Sequence, residues 1–121
     1  MKDARARADT LKMTFGEYLR HLRTEKNLQL RVVASQLDID PSTLGKIERD
    51  ERSPNFEFIK KVAQLFSIDE KGLKTKFLSE RVCYEIFEEG LDEEVLKVAE
   101  ERMKYIKSTK FKQSNLNFDS E

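Results

Sequence analysis

The stretch LQLRVVASQLDIDPSTLGKIERDERSP, residues 28–54, decides the fold. Apolar residues recur at i, i+3, i+4 and i+7 in its first half, which predicts an amphipathic helix over 29–37. Residues 38–39 make a tight turn. Asp40 is then placed to cap a second helix over 41–49, which starts with a proline whose missing N–H costs nothing at that position. Two short helices joined by a tight turn predict a helix-turn-helix.

The outward side of the second helix indicates the function. Its residues are small or basic: Ser42, Thr43, Lys46 and Arg49. The second helix of a helix-turn-helix lies in the major groove of DNA, which is about 12 Å wide and accepts one helix. Small and basic side chains suit that position, so the sequence predicts a DNA-binding surface.

The flanking sequence predicts further helices and no strand. Thr14 and Glu17 form a T-x-x-E capping box for a helix to Glu25, and Lys26-Asn27 supplies its exit. Asp50 follows the second helix of the helix-turn-helix, 41–49, at a position where positive φ is expected. The remaining helices are expected at 55–66 with Asn55 as cap, from Asp69 with Leu73 and Phe77 inward, at 79–89 capped by Ser79, and at 92–107 capped by Asp92. The sequence thus predicts an all-α chain of seven short helices.

Composition and charge agree with a helical protein in two parts. The chain has 121 residues, 38% of them charged, with only four Gly and two Pro, so the turn-dense pattern of an all-β sandwich is missing. Its net charge is zero. Residues 1–79 nevertheless carry 16 Lys and Arg against 12 Asp and Glu, whereas residues 80–121 carry 7 against 11. This distribution predicts a mildly basic front and an acidic rear.

Other chemistry finds no support in the residue pattern. His21 is the only histidine and has no partner at catalytic or metal-ligand spacing, so we predict no enzyme, no metal and no cofactor. Cys83 is the only cysteine and lies on an apolar stripe, where it is expected to be a small core residue. No secretory signal and no membrane span is apparent, and the expected location is the cytoplasm.

Residues 15–78 resemble the Cro/repressor-type (xenobiotic-response-element) helix-turn-helix family. The segment ERDERSP, residues 48–54, resembles the E-x-G-x-R-x-P signature of that family. Further matching residues are Leu19, Leu22, Val33, Ala34, Leu37, Ile39, Leu44, Ile47 and Glu48. The resemblance implies a lambda-repressor-like bundle of five helices, to which this chain would add a C-terminal extension of two helices.

The resemblance also implies roles for individual residues. Pro41, Ser42, Thr43 and Lys46 become candidates for contacts with base edges. Gln29, Arg49 and Arg52 become candidates for contacts with phosphates, and Arg31 is a further candidate for contact with DNA. Each DNA contact has an alternative. Ser42 and Thr43 could simply cap the first turn of the helix, and Lys46 could be a solvated lysine. Arg52 could form an intramolecular brace. Glu48 is expected to be structural.

Four positions depart from the family pattern. Asp38 and Asp50 stand where the family often has Gly, and Asp40 stands where it often has Ser; Asp is acceptable at a turn or cap position. Leu30 stands where many members have a Gln that contacts a phosphate, so that contact is in doubt and Gln29 is its candidate replacement.

The expected organisation is a flexible arm at 1–12, a helix-turn-helix domain at 13–78, a helical extension at 79–107 and a disordered tail at 108–121. The extension resembles that of regulators found beside restriction–modification genes. Because its apolar stripes need a partner, we expect them to pair with a second subunit rather than fold back.

We therefore predict a homodimeric repressor or autoregulator that binds a palindromic operator in double-stranded DNA. Control of a restriction–modification cassette and contact with RNA polymerase are further expectations, and no membrane partner is expected. The alternative is a protein-interaction adaptor or an antitoxin built on the same bundle, which the zero net charge, Leu30 and the acidic rear favour.

Overall fold

The computed structural model describes residues 11–120, with side chains as far as Lys110. This part of the chain is all-α, as predicted, and contains no strand. Six helices follow one another: α1 Phe15–Glu25, α2 Leu30–Gln36, α3 Pro41–Glu48, α4 Phe56–Phe66, α5 Glu70–Glu88 and α6 Glu94–Ser120.

The chain divides into two compact units between Arg81 and Val82. The front unit, described from Leu11 to Arg81, holds α1 to α4 and most of α5. The rear unit starts at Val82 and holds the last turns of α5 together with α6. The division falls inside a continuous helix.

The core of the front unit is built from the apolar stripes of its helices. Ile39 in the turn after α2 is half-buried and packs against this core, as expected. Burial of each large apolar side chain stabilises the fold by roughly 1.5–3 kcal/mol. The buried residues are Phe15, Leu19, Val33, Ala34, Leu37, Leu44, Ile47, Phe58, Ile59, Val62, Ala63, Phe66, Leu73 and Phe77.

Side chains cap α1 and α4 as the sequence predicts. Thr14 Oγ1 accepts from the Glu17 N–H at 3.1 Å, and Glu17 Oε1 accepts from the Thr14 N–H at 2.9 Å. Asn55 Oδ1 accepts from the Phe58 N–H at 2.9 Å. Asp40 is the N-cap residue of α3, as predicted, but its side chain makes no capping hydrogen bond.

The ends of the first four helices use the left-handed conformation without glycine. Asn27, Asp38, Asp50 and Ser67 have φ of 54°, 60°, 61° and 54°. Asn and Asp tolerate this conformation better than other non-glycine residues. The expected exit at Asn27 and the positive φ at Asp50 are confirmed.

The prediction of two helices between Asp69 and Glu89 is wrong, because α5 runs without a break from Glu70 to Glu88. Ser79 lies inside this helix, and its hydroxyl donates to the Lys76 carbonyl at 2.9 Å instead of capping a new helix. A serine that bonds back to its own helix does not interrupt it. The described residues therefore contain six helices where seven were predicted for the chain.

The rear unit differs from expectation in two further respects. Cys83 is exposed and is not a core residue, since it is Ile86 that α5 buries in this unit. The last helix continues to Ser120, whereas the sequence predicted its end near Lys107 and disorder over 108–121. Asp92 does accept from the Glu94 N–H, at 3.1 Å, as its predicted capping role requires.

The predicted N-terminal arm lies outside the described residues apart from Leu11 and Lys12. Between residues 11 and 120, no helix is both long and apolar enough to span a bilayer.

Candidate nucleic-acid interface

α2 and α3 form a helix-turn-helix that is anchored on its inner side. Val33 and Ala34 of α2 and Leu44 of α3 are fully buried in the front core. Four residues, 37–40, join the two helices. Because Leu37 in this connection is also fully buried, the core fixes the angle at which α3 is presented.

α3 has one buried and one open side. Leu44, Gly45, Ile47 and Glu48 are buried. The residues predicted to contact nucleic acid lie on the open side and at the two ends of the helix-turn-helix. Seven of them are exposed and Thr43 is half-buried; the exposed ones are Gln29, Arg31, Pro41, Ser42, Lys46, Arg49 and Arg52.

Two of these residues meet in a groove beside α3. Thr43 and Arg52 line an open groove of about 290 Å³ together with Ile47, Pro54 and Phe58. Arg52 makes no hydrogen bond and no ion pair with the other residues that the structure describes. The intramolecular brace considered for it is therefore not formed here.

The first turns of α2 and α3 carry no side-chain cap. Neither Gln29 before α2 nor Asp40 before α3 bonds to a backbone N–H of the helix that follows. Such N–H groups form the positive end of the helix dipole and can donate hydrogen bonds to anionic partners. Leu30 is partly buried and packs against the core, so it offers no polar group for the phosphate contact that the family resemblance implies at this position.

A buried ion pair holds α3 against α1. Arg23 Nε lies 2.8 Å from Glu48 Oε2, and Arg23 Nη2 lies 2.9 Å from Glu48 Oε1. Arg23 Nη1 also donates to the Leu28 carbonyl at 3.0 Å. The hydrogen bond to Glu48 raises the pKa of Arg23 above its already high value. This pair fixes the inner side of α3, and the structural role expected for Glu48 agrees with it.

Sequence reasoning missed Arg23, because an arginine in an amphipathic helix normally lies in solvent. The only signal in the sequence was the position of Arg23 next to the apolar stripe of α1. Arg20, three residues earlier, lies on the exposed side of the same helix. Its partner lies 25 residues away, and no local rule connects the two positions.

The end of α3 is tied to the start of α1 by Asp50. Its carboxylate accepts from the Thr14 hydroxyl at 2.6 Å and from the Gly16 N–H at 3.1 Å. A Cβ at Gly16 would collide with the carbonyl oxygen of Ile47 at the end of α3, so this approach requires glycine. Glu80 of α5 adds a second carboxylate at the same helix start, 2.8 Å from the Phe15 N–H.

An exposed ion pair lies at the outer end of α3. Arg49 Nε is 2.8 Å from Glu51 Oε2, and both side chains are more than half exposed. The hydrogen bond from Arg49 lowers the pKa of Glu51 below the ordinary carboxyl value, and the positive charge of Arg49 lowers it further. Sequence reasoning proposed Arg49 for phosphate and overlooked Glu51 as its partner.

The described residues bring together no group of three or more His, Cys, Asp or Glu side chains that could hold a metal ion. His21 is half-buried and lies 3.4 Å from Glu25, one helical turn along α1. What this surface offers is a helix with an open side, basic residues and free backbone donors.

Comparison with known proteins gives one family and several similar proteins. A family model described as helix-turn-helix matches residues 19–73. The HTH-type transcriptional activator BcrR of Enterococcus faecalis is 38% identical over 56 residues, which are 46% of this chain and 28% of BcrR. The chain thus spans less than a third of the length of that curated relative.

Among solved structures, the chain is similar to the restriction-modification controller protein C.AhdI from Aeromonas hydrophila. The identity is 36%, the match covers 55% of this chain and 97% of C.AhdI, and the TM-score is 0.46. It is also similar to the P22 c2 repressor protein, solved in complex with a synthetic operator, at 18% identity. That match covers 51% of this chain and 94% of the repressor, with a TM-score of 0.47.

Proposed function

Because residues 19–73 belong to the helix-turn-helix family of the Cro/repressor type, we propose that this protein is a sequence-specific, DNA-binding transcriptional regulator. In this proposal α3 lies in the major groove. The observation that carries the proposal is that α3 has its inner side locked by the core and by Arg23, while its outer side is open. A reading helix needs both properties, because base contacts require a rigid and accessible side.

Base reading falls to the first turn of α3 and to Lys46 on its open side. Ser42 and Thr43 can donate to or accept from base edges, and the Thr43 methyl suits the methyl group of thymine. Lys46 suits guanine O6 and N7. The exposure of Lys46 and Ser42 supports these roles.

Phosphate contacts fall to the ends of the helix-turn-helix. Gln29 and Arg31 lie at the start of α2, and Arg49 and Arg52 follow the last turn of α3. The uncapped N–H groups of α3, an eight-residue helix, would add a backbone contact with phosphate. Such contacts orient a protein on the duplex without reading its sequence.

We further propose that the protein acts as a homodimer through its rear unit. Large apolar side chains are exposed there, with Phe87 at 73%, Tyr105 at 69% and Leu91 at 55%. Several such residues on two helices are typical of a protein interface. A two-fold dimer would match a palindromic operator and would double the contacts with DNA.

Selection of bound sequences from a random DNA pool tests the central proposal, followed by binding of the selected duplex and of an unrelated duplex at several salt concentrations. Lys46→Ala should reduce the preference for the selected sequence, whereas Arg49→Ala should weaken binding to both duplexes alike. Lys60→Ala removes a lysine of α4 that is also exposed and is the matched control. Equal behaviour of the Lys46 and Arg49 variants would contradict the assigned roles.

The same titration separates the regulator from a protein-interaction adaptor. A regulator that neutralises several phosphates should lose affinity steeply as salt rises, because counterions are released on binding. An adaptor should show no binding to duplex DNA even at low salt, and that result would overturn the proposal.

The dimer is tested by sedimentation equilibrium. Phe87→Ser should shift the chain toward monomer, whereas Leu11→Ser should not, although Leu11 is an apolar residue with the same 73% exposure in the front unit. A monomeric unaltered chain at all accessible concentrations would refute dimerisation. Repression, contact with RNA polymerase and control of a restriction–modification cassette stay predictions.

A further inference from the structure

Arg49 and Glu51 form a two-pronged pair at the outer end of α3. Arg49 Nε donates to Glu51 Oε2 at 2.8 Å, and Arg49 Nη2 lies 3.5 Å from Glu51 Oε1. A planar guanidinium binds a carboxylate and a phosphate in the same forked manner. The carboxylate of Glu51 therefore occupies the donors that a DNA phosphate would use.

The backbone fixes Glu51 in this position. The Glu51 N–H donates to the Lys46 carbonyl at 2.8 Å, and the Asp50 N–H donates to the Ile47 carbonyl at 3.1 Å. With Asp50 at φ 61°, these two bonds form a Schellman motif that closes the last turn of α3. Glu51 is thus set beside this turn by hydrogen bonds and not only by its charge.

The Arg49 side chain extends back along α3. It lies over Gly45, where an added Cβ would come within 3.1 Å of Arg49 Nη1. The absence of a side chain at Gly45 leaves room for the guanidinium along the helix, within reach of Glu51. The positive charge of nearby Lys46 contributes, after Arg49, to the lowered pKa of Glu51.

We propose that Glu51 is an affinity-setting residue that competes with DNA phosphate for the guanidinium of Arg49. The inference rests on the proposed DNA-binding function. Association with a duplex then has to exchange the Glu51 carboxylate for a phosphate at the Arg49 guanidinium. This exchange weakens binding to every duplex without favouring any sequence.

The test compares Glu51→Gln with the unaltered chain on a random-sequence duplex and on a selected one. The variant should bind both about two- to five-fold more tightly, the range expected when one exposed ion pair no longer competes. Glu70→Gln is the matched control, since it also removes a partly exposed carboxylate that pairs with a cation, Lys74, at 2.7 Å. The control should leave both affinities nearly unchanged.

The same substitution in an Arg49→Ala background shows whether Glu51 acts through Arg49. The gain in affinity should largely disappear there, because the guanidinium for which Glu51 and phosphate compete is gone. A gain of the same size in both backgrounds would overturn the proposal in favour of general repulsion between Glu51 and phosphate. No gain in either background, with DNA binding otherwise intact, would also overturn it.

A measurement on the free protein separates this inference from the proposed function. NMR titration of the full chain should give Glu51 a pKa below that of an ordinary glutamate, and Arg49→Ala should return it to that range. An unshifted Glu51 overturns the inference even if DNA binds. Absence of all DNA binding by the unaltered chain overturns the proposed function and the competition together, whatever the titration shows.

Discussion

Helices α1 and α4 differ from α2 and α3 in how their first turns are satisfied. Thr14 and Asn55 cap the former pair with side-chain oxygens, whereas neither α2 nor α3 receives a side-chain cap. An uncapped helix start costs roughly 1 kcal/mol relative to a capped one. The two helices proposed to meet DNA are thus the two whose first turns depend on solvent or on an external anion.

The two ends of α3 differ in how many contacts they make with the rest of the front unit. Its first turn and outer side are open, while its last turn is tied to α1 through Glu48 and Asp50. The comparison teaches that rigidity and openness are supplied by different residues on one short helix. Substitutions can therefore remove one without the other.

The largest expected effect follows from breaking the brace between α1 and α3. Glu48→Ala leaves Arg23 without its partner in a site where the Arg23 side chain is 14% exposed. Removal of one partner from a buried ion pair costs about 3–5 kcal/mol, because the remaining charge is uncompensated. Urea unfolding followed by circular dichroism measures the loss.

The exposed pair at the other end of α3 supplies the control. Glu51→Ala removes a carboxylate that also pairs with an arginine, but in solvent, and should change the free energy of unfolding far less than Glu48→Ala does, because water and salt screen an exposed pair. Losses of equal size for the Glu48 and Glu51 variants would show that the burial of the first pair has no energetic weight.

The two aspartates with positive φ should respond to glycine with opposite signs. Asp38 and Asp50 have nearly equal φ, but the Asp50 side chain accepts two hydrogen bonds from the start of α1 and that of Asp38 makes none among the described residues. Asp38→Gly relieves left-handed strain and should stabilise the fold by about 0.5 kcal/mol. Asp50→Gly also loses the two bonds and should destabilise it by about 1.5 kcal/mol. Thermal unfolding of both variants checks the signs, and stabilisation by Asp50→Gly would contradict the tie between α1 and α3.

Removal of a cap from each class of helix tests the opening comparison directly. Asn55→Ala should destabilise the fold by about 1 kcal/mol, because the Phe58 N–H loses its acceptor. Asp40→Ala removes a side chain that makes no capping bond and should cost less than about 0.5 kcal/mol. Chemical denaturation of both variants decides the point; a similar loss for Asp40→Ala would mean that α3 is capped in solution.

The smallest effect concerns pH. Burial raises the pKa of Glu80, and the negative charges of Asp50 and Glu17 raise it further. The hydrogen bond from the Phe15 N–H and the positive charge of Lys76 lower this pKa, but they do not cancel the rise. A raised folded-state pKa means that the stabilising contribution is complete below the unfolded-state value and is lost as pH rises through the folded value. This group should therefore favour folding as pH falls from neutral toward about 4.

Glu80→Gln is the variant that isolates this contribution. The difference in unfolding free energy between the variant and the unaltered chain should change over that pH range and level off below it. A difference that stays constant between neutral pH and the acid range would show that the pKa of Glu80 is not raised.

Local rules correctly predicted much of the front unit. The capping box at Thr14, the cap at Asn55 and the exits at Asn27 and Asp50 each involve residues within a few positions of one another. The apolar spacing also placed Val33, Leu44 and Ile47 in the core and left the candidate contact residues outside it. Whether those residues contact DNA stays a prediction.

Local rules failed where the deciding contact was distant or absent. The sequence predicts Ser79 as a cap, but Ser79 lies inside α5 and its hydroxyl donates to the Lys76 carbonyl of the same helix. Cys83 reads as a core residue because an apolar stripe does not say whether it will be covered.

The sequence by itself therefore determined that this is a helical protein with a turn-linked pair of short helices, because periodicity and capping act over one to two turns. Only the tertiary structure decided that Arg23 braces Glu48, that Asp50 and Glu80 close the start of α1, and which residues of the rear unit stay uncovered. These contacts join positions 25 to 65 residues apart. They form only after the helices have packed, so no pattern confined to one helix can specify them.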